Sequence, residues 1–434
     1  MKIALFHNLP TGGAKRALWE HARELHARGH VLDAFVMDTA AEEFLPLAPL
    51  CRRVEIVPAP AGARQSGSRP GFGGRIGTKL RSALDTRRQI RLMDDWERAY
   101  QSLAARMDDG GYDAAYVHHC RFASSPALLR FLKTPSLYFC QDTLRHAYEW
   151  AIETTPGYDD APAAGLGRCK VRGQVFSLPA RRMLAEQERR DVRSARAATR
   201  VLANSWYSRE AILRAYGVNA RLCHLGVDAG FFCPDKTMPR EPNVVLSVGS
   251  ITAAKRHDFV IDSVATIPEA RRPRLRILGF DPERGAEGSP GPLAAALARR
   301  AETKNVALEI CHGTADDVLR DAYQNAAVVA FAPHLEPFGF IALEAMACET
   351  PVVGVSEGGL RESIQNEQTG LLTDRDPDAF GAALARVLAE KSFAARLGAA
   401  GRATVLRDWT WARSVDTLER HLGALPAPAE PPMV

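Results

Sequence analysis

The reading starts from His334-Leu335-Glu336-Pro337-Phe338-Gly339-Phe340-Ile341-Ala342-Leu343-Glu344-Ala345-Met346-Ala347-Cys348. An apolar run before it, Ala327–Ala332, reads as a buried strand, and Pro351–Val355 after it reads as the next. Between them, Phe338–Cys348 has helical spacing and good helix formers. One carboxylate, Glu336, lies in the turn before the helix, and a second, Glu344, lies eight residues on. Eight residues of helix span about 12 Å at about 1.5 Å per residue. The Phe338, Gly339 and Phe340 amides fall at a helix N-terminus, which attracts anions. Two hydroxyl acceptors and a phosphate cradle suit a ligand with a sugar, a diphosphate and a ribose in line. Taken singly, the plainer readings are a capping glutamate and a solvated one; the strand–turn–helix–strand setting favours the site.

This stretch resembles the E-x7-E motif of glycosyltransferase family 4, the retaining enzymes of GT-B fold, through Glu336-Pro-Phe-Gly-Phe-Ile-Ala-Leu-Glu344. The Glu-Ala-Met-Ala-Cys-Glu-Thr-Pro-Val-Val run beginning at Glu344 is similar to that family as well. The resemblance implies an α/β protein of two Rossmann-like domains, a cleft between them, and a C-terminal helix crossing back to the first domain.

At 434 residues the chain is too long for one ordinary core. With 46% hydrophobic and 25% charged residues it is globular rather than disordered. It has no apolar run of about 18 residues, so a membrane span is not expected. Met1–Phe6 reads as a strand rather than a leader. The eight cysteines form no C-x-x-C pair, which fits a reducing cytoplasm and neither zinc nor a disulfide framework. A net charge of +5 admits anionic ligands without implying nucleic acid.

Strands alternate with helical patterns, the signature of parallel α/β units. The expected domains are 1–236, with insertions at about 59–109 and 144–198, then 237–408. A crossover helix at 409–424 and a disordered Pro/Ala tail at 425–434 follow. In the first domain, strands are expected at Lys2–His7, Val31–Met37, Arg53–Val57, Tyr112–His118, Ser136–Cys140 and Thr199–Asn204. A helix is expected over Ala14–Arg28 and another at about Ser125–Leu132. Thr11-Gly12-Gly13-Ala14 lets backbone approach a ligand at a helix N-terminus. It resembles the family's Gly-Gly-Ala-Glu-Arg turn, with Lys15 in place of Glu and Arg16 kept.

The first insertion carries eight Lys/Arg and one acid, Asp85, between Arg64 and Arg91. It reads either as a surface loop followed by a core-packed helix over Leu80–Met107, or as a basic patch for an anionic acceptor or an anionic membrane surface. The second has a Pro/Gly-rich middle, Thr155–Gly167, and a charged helix, Leu178–Ala198, where an acceptor lid is placed.

Lys255 follows the second domain's first strand, in Val248-Gly249-Ser250-Ile251-Thr252-Ala253-Ala254-Lys255-Arg256-His257. A cation there can neutralise a diphosphate leaving group. By resemblance Lys255 is the donor-phosphate lysine. Ser250 stands where the family usually has Arg, and Arg256 is the candidate replacement. His118 ends its strand where the family places a His beside the donor sugar. Gly313 and His312 fall at a strand end where the family binds the base. Gly358 and Gly359, in Gly-Gly-Leu-Arg-Glu362, resemble a donor-approach segment. Asp374-Arg375-Asp376 is formally Asp-x-Asp, but Pro377 makes it a helix cap rather than a metal site.

The resemblance therefore implies retaining transfer of a sugar from a nucleoside-diphosphate sugar to an acceptor hydroxyl, without a metal, in polysaccharide, glycolipid or glycoconjugate synthesis. His118, Glu336 and Lys255 are the catalytic candidates. Gly12, Gly13, Lys255, Arg256, Gly313, Phe338, Gly339, Phe340 and Glu344 are the donor-binding ones. The expected partners are a nucleotide-sugar donor and a glycan or lipid-linked acceptor, with the protein cytoplasmic or peripheral at the inner membrane face through Arg64–Arg91. A non-catalytic nucleotide-sugar-binding relative and a UDP-sugar epimerase of similar architecture remain the alternatives.

Overall fold

The computed structural model describes residues 1–61, 63, 78–143, 168–171, 174–235, 237, 240–285, 288–313 and 315–427. These residues form two compact units. The first comprises Met1–Asn204, Ser208–Cys223 and Val415–Val434; the second comprises Ser205–Tyr207 and His224–Ser414.

The first unit is built on a seven-stranded sheet in the order β3-β2-β1-β4-β5-β8-β9. The strands are β1 (Lys2–Asn8), β2 (Val31–Met37), β3 (Arg53–Val57), β4 (Ala114–Cys120), β5 (Ser136–Cys140), β8 (Arg200–Ala203) and β9 (Arg221–Leu222). All neighbours pair in parallel. An antiparallel hairpin, β6 (Arg168–Val171) and β7 (Gln174–Ser177), stands apart. β1, β4 and β5 are buried along almost their whole length, as a sheet covered on both faces requires. Helix α1 (Gly13–Ala27) buries Ala17, Leu18, Ala22 and Leu25, a spacing of three and four residues that gives one apolar face.

The long helix α2 (Thr78–Asp108) sends Trp96, Tyr100, Leu103 and Met107 into the core. Tyr100 stacks on Trp96 and meets Phe6 edge-on. Of the two readings of the first insertion, core packing therefore holds for residues 96–107. Residues 64–77 of the basic stretch lie outside the described residues, as do Thr155–Gly167 and most of the Pro/Ala tail. Helix α3 (Leu178–Ala197) follows the hairpin. The helix expected near Ser125–Leu132 is one short 3-10 turn, Ala127–Arg130, entered from Pro126.

The second unit has a six-stranded sheet in the order β12-β11-β10-β13-β14-β15, again parallel throughout. These are β10 (Glu241–Val248), β11 (Arg274–Gly279), β12 (Leu308–His312), β13 (Ala326–Phe331), β14 (Val352–Val355) and β15 (Leu371–Thr373). Ordinary crossover helices connect them: α5 (His257–Thr266), α6 (Pro292–Thr303), α7 (Asp316–Asn325), α8 (Phe340–Ala347) and the short α9 (Leu360–Ser363). Helices α10 (Pro377–Ala389) and α11 (Lys391–Asp408) complete the unit. Two helices are divided between the units: α4 (Trp206–Tyr216) and the last, α12 (Trp411–Gly423). Within the first unit, Asp416 and Glu419 of α12 pair with Arg28 at 2.8 and 2.5 Å, and Val415, Leu418 and Leu422 are buried. Among the described residues no helix is long and apolar enough to cross a membrane.

Candidate active site

In an open parallel sheet, the crevice for a ligand opens beyond the carboxyl ends of the strands where the strand order reverses. In the second unit that point lies between β10 and β13. The loop after β10 carries Lys255 and the loop after β13 carries Glu336. Their side chains meet there, Lys255 Nζ donating to Glu336 Oε2 at 2.8 Å. Each is about a fifth exposed, so the pair stands at the surface of the crevice. Lys255 sits in a 3-10 turn, Ala253–Lys255, with its ammonium over the Phe331 ring. The two loops are also tied by backbone, His334 N–H donating to the Ala254 carbonyl.

Helix α8 begins at Phe340, two residues later than the sequence implied. Gly339 is the reason. Its φ of +97° is left-handed, a conformation that costs glycine little and stops the helix from extending back to Phe338. The first helical amides are therefore those of Phe340 and Ile341. Phe338 is instead a buried anchor packed edge-on against Phe340 and Trp409. Glu344 lies one turn into α8 and is buried, with Oε2 accepting from the Tyr323 hydroxyl at 2.8 Å.

Other sequence candidates are placed elsewhere. Arg256, the candidate replacement for the missing arginine, is engaged within its own loop. Its guanidinium pairs with Asp258 through Nε and Nη2, and its own backbone is left-handed at φ +52°. Gly358 and Gly359 pack against the Glu336–Pro337 backbone. Glu362, in the same segment, accepts from the Trp206 and Tyr207 amides and so caps α4. Asp376 caps α10, accepting from the Asp378 and Ala379 amides ahead of Pro377, as Asp-x-Asp followed by proline implied. Gly313 and His312 line a cavity of about 340 Å³ with Gly279, Phe280 and Arg284, beyond β11 and β12.

The first unit has its own reversal point, between β1 and β4. Gly12 and Gly13 lie exposed at the start of α1, and His118 ends β4. His118 is fully buried, stacked on Phe139, with Gln141 Nε2 at 3.2 Å from Nδ1. Gln141 Nε2 also donates to the Ala14 carbonyl, tying β5 to the first turn of α1. With Nδ1 accepting, the bonding network puts the proton on Nε2, a buried atom without a hydrogen-bond partner. Burial holds this imidazole neutral, well below its usual pKa, so it offers a neutral donor.

Lys15, where the family turn usually has a glutamate, is buried and pairs with Glu42 at 2.5 Å. His7 joins them. Its Nδ1 accepts from the Leu9 amide and its Nε2 lies 3.1 Å from Glu42. A carboxylate thus returns to this turn from a different loop. Only the unexpected lysine could have signalled it in the sequence.

These histidines make stability depend on pH. Burial depresses His7 and His119 to about 4, His21 to about 3 and, in the second unit, His257 to about 4. Unfolded, each titrates near 6.5. Below pH 6.5 the unfolded chain binds protons that the folded chain refuses, so stability falls as pH drops from 6.5 toward 4. Each site contributes up to about 1.4 kcal/mol per pH unit. Asp191 opposes them: burial raises its carboxyl to about 6, which favours the folded form as pH falls below 6. The histidines outnumber it, so calorimetry is expected to show a lower Tm at pH 5 than at pH 7. An unchanged or higher Tm at pH 5 contradicts this accounting.

Two parallel α/β units, each with its candidate groups at the sheet's reversal point, define the class of two-domain open-sheet α/β folds. Residues 233–404 match the family described as glycosyl transferases group 1. The chain is 31% identical over 245 residues to a D-inositol 3-phosphate glycosyltransferase of Kineococcus radiotolerans, covering 51% of this chain and 55% of the relative. It thus spans about half the length of the curated relatives it matches. Sucrose-phosphate synthase of Thermosynechococcus elongatus superimposes with a TM-score of 0.70 at 21% identity, over 98% of this chain and 99% of that one. Anabaena HepE, solved in complex with UDP-glucose, gives 0.67 at 16% identity over 98% and 100%. The fold is the GT-B fold of these glycosyltransferases.

Proposed function

We propose that the chain transfers a glycosyl group from a nucleoside-diphosphate sugar to an acceptor hydroxyl, with retention at the anomeric carbon, as a family 4 enzyme does. The observation that carries this reading is the Lys255–Glu336 pair at the reversal point of the second unit's sheet. The pair stores a cation and a carboxylate side by side, and a donor separates them. Lys255 turns to the diphosphate, and Glu336 is released to accept from sugar hydroxyls. The Phe340 and Ile341 amides face the phosphate. Glu344, oriented by Tyr323, takes the ribose, and the base enters the cavity beside Gly313.

In the chemical step the bond between the anomeric carbon and the phosphate oxygen breaks, and its electron pair goes to the nucleoside diphosphate. The acceptor oxygen bonds to the same face of that carbon and its proton passes to the leaving phosphate. Lys255 stabilises the charge that develops there. On this reading the diphosphate charge is met by Lys255 and helix amides, and Asp376 of the formal Asp-x-Asp is engaged as a cap. The HepE complex supports a uridine nucleotide, and the Kineococcus relative puts a phosphorylated inositol in the acceptor panel beside glycans and lipid-linked sugars.

The test is calorimetry with UDP, GDP, ADP and their glucose conjugates, in the presence of a chelator, on the wild-type chain and Glu344→Ala. One nucleotide is expected to bind, and Glu344→Ala to weaken it at least about tenfold by removing a charged hydrogen bond to the ribose. Product NMR then reads the anomeric configuration. A wild-type chain that binds none of these ligands overturns the reading.

A further inference from the structure

Glu336 is presented by an unusual piece of backbone. Leu335, immediately before it, is left-handed at φ +47° without being glycine. Such a conformation persists only where surrounding bonds enforce it, and it concentrates at functional turns. The enforcing bonds come from two residues outside the turn. Arg375 forks across the Glu357 carboxylate, Nε to Oε1 and Nη2 to Oε2, both at 2.8 Å. The same guanidinium donates to the carbonyls of Ala332 at 3.0 Å and Pro333 at 2.7 Å. Glu357 in turn accepts from the Leu335 amide. Burial works to raise the Glu357 carboxyl, but Arg375, His334 and this amide hold it below its ordinary value, so it stays ionised. Two residues on, the Gly359 amide donates to the Glu336 carbonyl at 2.8 Å.

The segment 332–336 is therefore gripped at two carbonyls before the turn, at the amide within it and at the carbonyl of Glu336 itself. Arg375 has its Nε, Nη1 and Nη2 all engaged by protein acceptors, so it is not spare charge for a phosphate. Its action is on backbone position. We propose that Arg375 and Glu357 are positioning residues for Glu336, and that they set how strongly the site prefers a nucleotide sugar over the bare nucleotide. The inference rests on the reading above that Glu336 takes the sugar hydroxyls. A lysine in place of Arg375 keeps the charge but cannot reach a carboxylate and two carbonyls at once.

The experiment measures, by calorimetry, the ratio of affinities for each nucleoside diphosphate and its glucose conjugate. It uses the full chain with Arg375→Lys, Glu357→Gln, Glu336→Ala and the Arg375→Lys/Glu336→Ala pair. Glu357→Gln serves if Arg375→Lys does not fold. Arg375→Lys and Glu357→Gln are expected to lower the preference for the sugar conjugate about tenfold, the scale of one charge-assisted hydrogen bond. The bare nucleotide should bind almost as in the wild type. In the Glu336→Ala background, Arg375→Lys should change the preference no further. A preference that survives both substitutions overturns the inference, as does equal loss of both ligands or an additive double variant. A wild-type chain that binds no nucleotide removes the reading on which the inference rests, and the inference with it.

Discussion

Lys255→Ala lowers turnover by about two to three orders of magnitude, the scale of one electrostatic contact to a developing oxyanion. The large effect is on chemistry rather than on folding. The Lys255–Glu336 pair is about a fifth exposed on both sides, and an ion pair so placed contributes at most about 1 kcal/mol to stability. Removing the lysine also leaves Glu336 facing the diphosphate with no intervening cation, so the nucleotide affinity falls with the rate. No other basic side chain is placed to compensate within this loop, because Ser250 replaces the usual arginine and Arg256 is held by Asp258. Lys255→Arg keeps the charge but carries a larger head past Gly249, whose Cα side already lies against the lysine stem. It should recover part of the activity. Steady-state kinetics on the identified donor, with thermal denaturation alongside, checks both halves. Activity above half of wild type in Lys255→Ala would place the phosphate elsewhere.

The strands of both sheets were legible because a parallel sheet covered on two faces turns each of them into an apolar run. β2, β3 and β5 fall on the residues expected, β1, β4, β8, β13 and β14 shift by one or two positions at one or both ends, and the short β6, β7, β9 and β15 were not expected. β4 moved from Tyr112–His118 to Ala114–Cys120. Its start is set by pairing of Ala114 with Ile3, and it closes through a bridge from Cys120 to Ser124, neither of which composition reports. Helix α8 lost two residues because one backbone angle at Gly339 outweighs favourable helix propensity at Phe338.

Within the site, Lys255 and Glu336 could be found because the chemistry resides in their side-chain types. The bracket of Arg375 and Glu357 could not. Three of its bonds end on main-chain groups, at Ala332, Pro333 and Leu335, and a main-chain acceptor leaves no mark on residue identity. Arg375 stands inside Asp374-Arg375-Asp376, where the acids and Pro377 mark a helix cap and nothing in the pattern marks the arginine. The Lys15–Glu42 pair shows the same limit, since 27 residues separate partners that topology brings within 2.5 Å.

Gly358→Ala is expected to be strongly destabilising for a single added methyl group. Gly358 has φ +55°, where an added Cβ strains the backbone by about 1–3 kcal/mol. That Cβ would also lie 2.4 Å from the Glu336 carbonyl oxygen and 2.9 Å from its amide nitrogen. These are backbone atoms of a turn already gripped on both sides, so they cannot yield as a side-chain tip would, and overpacking adds about 1–3 kcal/mol. Together the terms lower Tm by roughly 4–24 °C for a unit of this size. Gly359→Ala separates the two causes. Its φ is ordinary, so only the contact remains, an added Cβ 2.5 Å from the Pro337 carbonyl oxygen. It should cost about half as much stability. Both changes push on the Glu336–Pro337 backbone, so both should weaken the sugar conjugate more than the bare nucleotide. Calorimetric melting of the two variants decides the matter. A Tm for Gly358→Ala within a degree of wild type would mean that this turn yields to a methyl group, and that the bracket does not hold Glu336 in one place.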